Sequence, residues 1–275
     1  MKILACDTSG RACSCCLYEA GNVRDARFLN NGLTHSQTFM PMVHELMEEN
    51  QMTYPELEAQ ACTVGRGSFT GIRIGVSAVK TMAMAAKKPA IKVSSLEALA
   101  EPLREEDALI VPMIDGRNHR AWAAGFYHGK NVIAEMADDV SVIAELVRAW
   151  KKEDPKRASL PTVTVGNGGK MYLEEVEKQE ETERDMARYA EEYAEIRSEY
   201  VAAIASRKYE AEQAAMLEKG VAEKALPASM MLRFSPRAMM PVYRAKTQAE
   251  RVADEQGKAV EQVPIRYYST MEEEK

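Results

Sequence analysis

The residues best placed to do chemistry lie in one stretch, Thr63-Val-Gly-Arg-Gly-Ser-Phe-Thr-Gly-Ile-Arg-Ile-Gly75. Glycines at 65, 67 and 71 allow positive φ and close approach of a neighbour. Thr70 is the expected N-cap of the helix that follows, and Ser68 offers a second hydroxyl beside it. Free N–H groups at a helix N-terminus can hold an anion, so Gly65, Gly67, Ser68, Thr70 and Gly71 form a candidate phosphate contact. The stretch is not a P-loop, because no Gly-Lys-Ser/Thr follows, and its G-x-G-x-x-x-G spacing is not the dinucleotide fingerprint. Taken alone it favours a structural turn or protein contact over a phosphate site.

Two acids extend the candidate set. Asp7 and Asp115 each close an apolar run, Ile3-Leu-Ala-Cys-Asp7 and Ile110-Val-Pro-Met-Ile-Asp115, and so sit at the carboxyl ends of expected strands. Such carboxylates can hold a magnesium-bound nucleotide. The competing role is to accept loop N–H groups, and the lack of an accompanying general base favours it. His35 and His44 are nine residues apart, on opposite faces of a helix. His44-Glu45 begins a zinc-protease-like pattern, but Glu48 stands where the second histidine belongs. His119 and His128 flank an expected strand. No residue is assigned as catalytic or as a metal ligand. Cys6, Cys13, Cys15, Cys16 and Cys62 are odd in number and have no second pair at zinc-site spacing, so they read as small hydrophobes rather than disulfides or ligands.

The elements that must position these groups fit a 275-residue chain with 46% hydrophobic residues, enough for two modest lobes. No apolar run approaches a membrane span and the chain enters a strand at Lys2, so a soluble, cytoplasmic protein is expected. The net charge of −6 is concentrated between Met171 and Ala225, where 15 acidic residues face 8 basic ones. No basic stripe marks a nucleic-acid surface, so any RNA would be held by another chain.

In order, strands are expected at 2–7, 12–18 and 23–28. A helix from His35 to Glu49 follows, then a strand at 61–64, a helix at 70–87, a strand at 90–93 and a helix opened by Ser94 or Ser95. The order then recurs: the run ending at Asp115, a strand at Arg120–Tyr127, a turn at His128-Gly-Lys-Asn131, a helix over about 140–151, and Val163-Thr-Val-Gly-Asn-Gly-Gly169 echoing Cys62-Thr-Val-Gly-Arg-Gly-Ser68. Asp115 follows Asp7 by 108 residues and Gly166 follows Gly65 by 101. Two copies of a β-β-β-α-β-α unit are inferred, with Asp7 and Asp115 facing a shared cleft. The expected fold is α/β, a duplicated actin-like (ASKHA, RNase H-like) two-lobe arrangement. Residues 1–105 would form the first lobe and 106–245 the second. In 171–225, Met186, Tyr189, Tyr193, Ile196, Tyr200 and Ile204 recur at three and four residues, predicting one long acidic amphipathic helix or a helical pair. Pro227 and Pro236 break that pattern, Pro241-Val-Tyr-Arg244 reads as a last ordered piece, and 246–275 as a disordered polar tail.

Ile3-Leu-Ala-Cys-Asp-Thr-Ser9, the Gly65–Gly75 loop, Ser94-Ser-Leu-Glu-Ala-Leu99, Ile114-Asp-Gly-Arg117 and Pro241-Val-Tyr-Arg244 together resemble the TsaB (YeaZ) family. The resemblance spans about residues 1–170 and resumes near 235–250. It implies a non-catalytic subunit of the bacterial machine that makes threonylcarbamoyladenosine in tRNA next to the anticodon. The chain would dimerise with a catalytic, metal-holding paralogue, TsaD, joined by the ATPase TsaE, and meet tRNA only through that complex. No tightly bound cofactor is implied; ATP or ADP with magnesium at the complex interface is compatible with it. By position, the family's TsaD contact falls on 35–49 and 70–87. Two features depart from the family pattern: Arg66 stands where proline is common, and 171–225 is longer and more acidic.

The apolar set on the first of those helices points the same way. Phe39, Met40, Val43, Leu46 and Met47 exceed what one narrow face must bury, and with Ile72, Val76 and Val79 they form the expected partner interface. Self-dimerisation through that patch is expected when the partner is absent. Two rivals stand beside this reading: an ATP-dependent phosphotransferase or ATPase of the actin-like fold, and a peptidase, for which no Ser/His/Asp set or zinc motif is apparent.

Overall fold

The structure, a computed structural model, describes residues 1–178 and 185–242. The first repeat runs β1 (Lys2–Asp7), β2 (Cys13–Glu19), β3 (Asn22–Leu29), α1 (His35–Glu49), β4 (Ala59–Thr63), α2 (Phe69–Ala86), β5 (Ala90–Val93) and α3 (Ser95–Ala100). The second repeats it element for element: β6 (Leu109–Arg117), β7 (Arg120–Tyr127), β8 (Lys130–Asp139), α4 (Val140–Lys152), β9 (Thr162–Val165), α5 (Gly169–Val176), β10 (Ala187–Tyr189) and α6 (Ser198–Glu218). A short helix, α7 (Leu226–Arg233), follows. Both sheets have the same strand order, β3-β2-β1-β4-β5 and β8-β7-β6-β9-β10. In each, the first three strands pair antiparallel and the last two run parallel to the first strand. This is the duplicated, two-lobe actin-like fold.

The strands that carry the candidate site are central ones. β1 and β4 are buried along nearly their whole length, as strands covered on both faces must be. Their parallel register pairs Cys6 with Cys62 and so brings the end of β1 beside Thr63. The five cysteines are free and buried, Cys6 in β1, Cys62 in β4 and Cys13, Cys15 and Cys16 in β2. Burial pushes the Cys13 and Cys16 thiols up to about 12, which leaves them as inert packing groups.

Three apolar clusters set the layers. α1 and α2 cover the outer face of the first sheet, and α4 and α5 the outer face of the second. Between the sheets lie α3 and α6 with Ile91, Val93, Ile110, Phe126, Val163 and Ile204. The helices of this middle layer are exchanged. α3, from the first repeat, packs on β6 and β7, while α6, from the second, packs on β1 and β2.

The segment 171–225 differs from the single helix or helical pair expected there. Tyr189 belongs to β10, which pairs in parallel with β9 as the fifth strand of the second sheet. Glu191–Tyr193 form a 3-10 turn, and helix begins only at Ser198. The spacing of the tyrosines therefore spans three kinds of local structure and is no helical stripe. The segment supplies the last strand and helix of the second repeat, so the duplicated unit is β-β-β-α-β-α-β-α. Residues 179–184 lie outside the described residues. Pro227 opens α7 and Pro236 a 3-10 turn, positions where a missing N–H costs nothing. Val242 N–H donates to Val64 O at 2.7 Å. Tyr243 and Arg244 of the expected last ordered piece, and the expected tail over 246–275, lie outside the described residues.

Candidate functional site

The site is built where β1 turns back into β2 and meets the glycine loop. Ser68, not Thr70, caps α2: its hydroxyl accepts the Gly71 N–H at 3.1 Å, and helix begins at Phe69. The expectation for Thr70 missed by one half-turn, because an N-cap hydroxyl must lie two or three residues before the N–H it accepts.

The loop is filled by the protein itself. Ser68 N–H donates to Ser9 O at 2.7 Å. Gly67, with φ +133°, lies so close to this turn that a Cβ there would stand 2.2 Å from Ser9 O. A Cβ on Gly71 would stand 2.1 Å from Thr8 O, and one on Gly75 would stand 2.3 Å from Thr8 Oγ1. Thr8 Oγ1 donates to Gly71 O at 2.7 Å. The Thr8–Ser9 turn therefore lies in the cradle where this loop would otherwise admit a phosphate, and in the lone chain that cradle does not fit one.

Asp7 serves the same closure. Its Oδ1 accepts the Ser9 hydroxyl at 2.6 Å, the Ser9 N–H at 3.2 Å and the Thr63 hydroxyl. Burial pushes its carboxyl above the ordinary range, while the hydrogen bonds from Ser9 and Thr63 pull it back down. Beside it, Glu195 from the second repeat accepts the backbone N–H groups of Ala12 and Arg11, and burial raises its carboxyl too. His35 Nε2 lies 3.0 Å from Gly10 O. Asp115 is placed differently. It is exposed, its Oδ1 accepts the Arg117 N–H at 2.7 Å, and its own N–H donates to Asn167 Oδ1 at 2.9 Å.

Arg66 neither faces solvent nor is free for an anionic partner's surface. It sits at φ +67° and is 5% exposed. Its Nη2 donates to Glu135 Oε2 on β8 at 2.7 Å, while the Ser94 hydroxyl donates to Glu135 Oε1. Glu135, Glu195 and Thr8 were not singled out in sequence. The signal for Thr8 was there, in the Gly71-x-x-x-Gly75 spacing that bares one helix face one turn apart. Nothing local marks the two glutamates.

The expected partner contacts require a correction. Phe39, Val43, Leu46, Met47, Ile72, Val76 and Val79 are all buried in the first-lobe core, so those side chains are not available to a partner. α1 is clamped between the sheet and α2, and this consumes a wider apolar face than a helix lying singly on a sheet. Of the expected set Met40 alone is exposed, at 41%. Phe69 and Met84, near opposite ends of α2 in the same helical layer, are exposed as well. The N-terminal turns of the two helices meet where His35 Cδ2 lies 3.2 Å from the position of a Gly71 Cβ.

Each histidine meets a carbonyl or a carboxylate: His35 the Gly10 carbonyl, His44 Glu48, His119 Glu175 and His128 Asp107. Among the described residues no three His, Cys, Asp or Glu side chains gather at a metal-sized site, and no helix is long and apolar enough to cross a membrane.

A duplicated actin-like chain whose glycine loop is closed by its own first turn defines the class. Comparison with known proteins narrows it. The family model described as TsaD: tRNA N6-adenosine threonylcarbamoyltransferase matches residues 32–251. The tRNA threonylcarbamoyladenosine biosynthesis protein TsaB of Bacillus subtilis (strain 168) is 32% identical over 179 residues, covering 64% of this chain and 76% of that protein. TsaB of Escherichia coli (strain K12) is 32% identical over 171 residues, covering 61% and 72%. The chain belongs to the TsaB (YeaZ) family. Among solved structures, YeaZ from Pseudomonas aeruginosa superposes with a TM-score of 0.61 at 23% identity, over 88% of this chain and 99% of that one. A second, described as an uncharacterized protein similar to peptidase YEAZ from the same organism, gives 0.61 at 22% identity, over 89% and 99%. At that identity these two speak for the fold alone.

Proposed function

We infer that this chain is a non-catalytic subunit of the machinery that makes threonylcarbamoyladenosine in tRNA, docking on a TsaD-type catalytic paralogue and supporting its competent state. The observation that carries the reading is the closed cradle: Thr8 and Ser9 pack on Gly67, Gly71 and Gly75 and fill the helix N-terminus that could otherwise hold an anion. Membership of a family whose named relatives are biosynthesis proteins supports it further. The docking surface is the outward side of α1 and α2, with Met40 and Phe69 as its apolar anchors. Any ATP or ADP with magnesium belongs at the joint with the partner, which must supply what the sealed cradle does not. TsaE and tRNA join through that complex, and two copies pair through the same face when the paralogue is absent.

The test is light scattering after size exclusion, with the chain alone and mixed with the TsaD-type paralogue of the same organism. Wild type should form a one-to-one species. Met40→Glu and Phe69→Glu should abolish it while leaving the melting temperature within about 2 °C of wild type, since exposed substitutions rarely exceed roughly 0.5 kcal/mol. If the chains elute separately under all conditions, with ATP and magnesium included, the reading fails and the chain must be assayed as an enzyme.

A further inference from the structure

A crevice of about 70 Å³, partly open to solvent, lies at the seam where the repeats exchange helices. It is bounded by α3, α6, the start of β6 and the β7–β8 turn at Gly129. It is separate from the glycine loop: none of its lining residues belongs to 63–75. Its floor is apolar, formed by Ile110, Phe126 and Ile204, all buried. Its rim carries cations in excess. Glu101 is committed to Arg207 at 2.5 Å, and Glu97 to Lys208 at 2.6 Å. That leaves Arg104 as the third cation. Its Nε meets Glu105 at 3.0 Å, but the Glu105 side chain is 86% exposed, so water screens that pairing heavily. Arg104 is held flat under the turn, because Gly129, at φ +69°, has no Cβ to displace it: one would stand 2.9 Å from Arg104 Cζ. A guanidinium presents five donors and an ammonium three, so all three cations have donors beyond the one bond each makes to its glutamate.

We propose that this pocket binds a small organic anion, a carboxylate or phosphate ester carrying an apolar or aromatic group. The anion would sit on Arg104 beside Arg207, and the apolar body would rest on Phe126 and Ile204. This goes beyond the proposed subunit role and does not depend on it. Among the lining residues Arg104, Arg207 and Lys208 outnumber Glu97 and Glu101, while Glu105, just outside the lining, pairs with Arg104, so the rim favours an anion through its spare donors rather than through a net charge. Such a surface favours an amphipathic anion over either a neutral apolar molecule or a bare ion.

The experiment uses the full chain and three probes: phenyl phosphate, inorganic phosphate and benzyl alcohol. Binding is followed through the backbone amide shifts of Gly129 and Phe126. Phenyl phosphate should saturate and bind about tenfold more tightly than either other probe, because only it engages both rim and floor. Arg104→Gln should weaken it by about tenfold or more, the scale of one charge-assisted bond. Glu101→Gln should tighten it several-fold by freeing Arg207. That gain of affinity would not follow from damage to the fold. Equal binding of benzyl alcohol, or phenyl phosphate binding indifferent to both substitutions, would make the pocket an ordinary apolar crevice and overturn the proposal. So would the absence of saturation by phenyl phosphate.

Discussion

In the first repeat the helix after the glycine loop brings its own glycines onto the turn that follows β1, whereas in the second the close approach to β6 is made by the loop glycines Gly166 and Gly168. α2 achieves this with Gly71 and Gly75, one turn apart, against Thr8. α5 presents Tyr172 and Val176 to its sheet instead, and Tyr172 is wholly buried. The acids follow suit: Asp7 is buried and accepts three internal donors, while Asp115 remains exposed. The residue between the loop glycines diverges as well. Asn167 reaches only the nearby Asp115 N–H, but Arg66 crosses to Glu135 of the second sheet. One ancestral plan has thus been used twice: a helix face sealed on the turn, with its acid buried, in the first copy, and a solvent-facing strand end in the second.

The largest effect that would break this contrast is a single methyl group. Gly→Ala in a helix interior ordinarily stabilises by up to about 1 kcal/mol. At Gly71 the added Cβ meets backbone, 2.1 Å from Thr8 O, and the sign reverses. Gly71→Ala should destabilise the chain by about 3 kcal/mol or more, read as a fall in the urea midpoint. Gly168→Ala meets Asp115 N at 3.0 Å, so it should cost distinctly less. Equal costs at both sites would mean that the helix contact of the first repeat is no tighter than the Gly168 contact of the second.

Next comes the bridge between the lobes. Glu135→Ala leaves Arg66 buried at 5% exposure without its counter-charge and should cost about 3 kcal/mol. Arg66 Nε and Nη1 are buried without hydrogen-bond partners even in the intact pair, so the pair is an imperfect one. Adding Arg66→Asn, the residue that the second copy uses at the same point, should recover most of that loss, because asparagine tolerates positive φ and carries no charge. A double variant no more stable than Glu135→Ala would show that the bridge holds the lobes together rather than merely neutralising itself.

How much of this could be read from the chain depended on range. The apolar runs ending at Asp7 and Asp115, and the echo of Gly65 in Gly166, exposed the duplication because each signal is local and repeated. β10 was hidden because three residues are too few to show a period of two, and the acids around them resemble a solvated helix. Arg66 and Glu135 lie 69 positions apart, and no spacing rule links them. The apolar excess on α1 was legible, but not its destination. Whether Val43 faces a partner or a neighbouring helix depends on how α2 packs beside it, a tertiary fact that periodicity does not carry.

The smallest effect concerns Asp7 itself. Burial raises its carboxyl, and the nearby Glu195 carboxylate is also held above its ordinary range by burial. A carboxyl whose folded pKa lies above its unfolded value favours the folded state only while it is protonated. That contribution is complete below about pH 4, the unfolded carboxylate range, and is lost as pH rises through the folded pKa. Asp7→Asn keeps an oxygen for the Ser9 and Thr63 donors and removes the titration. Its amide nitrogen is a donor where the carboxyl had an acceptor, and that mismatch adds an offset that does not change with pH. The slope therefore carries the prediction. The stability of Asp7→Asn relative to wild type should rise as pH increases from about 4, then level off once Asp7 is ionised in both states. Urea midpoints of the two proteins measured at half-unit pH steps give the difference directly. A relative stability that instead falls with rising pH would mean that the three donors outweigh burial. The closed turn of the first repeat would then hold its acid as a carboxylate, as an open anion-accepting strand end would.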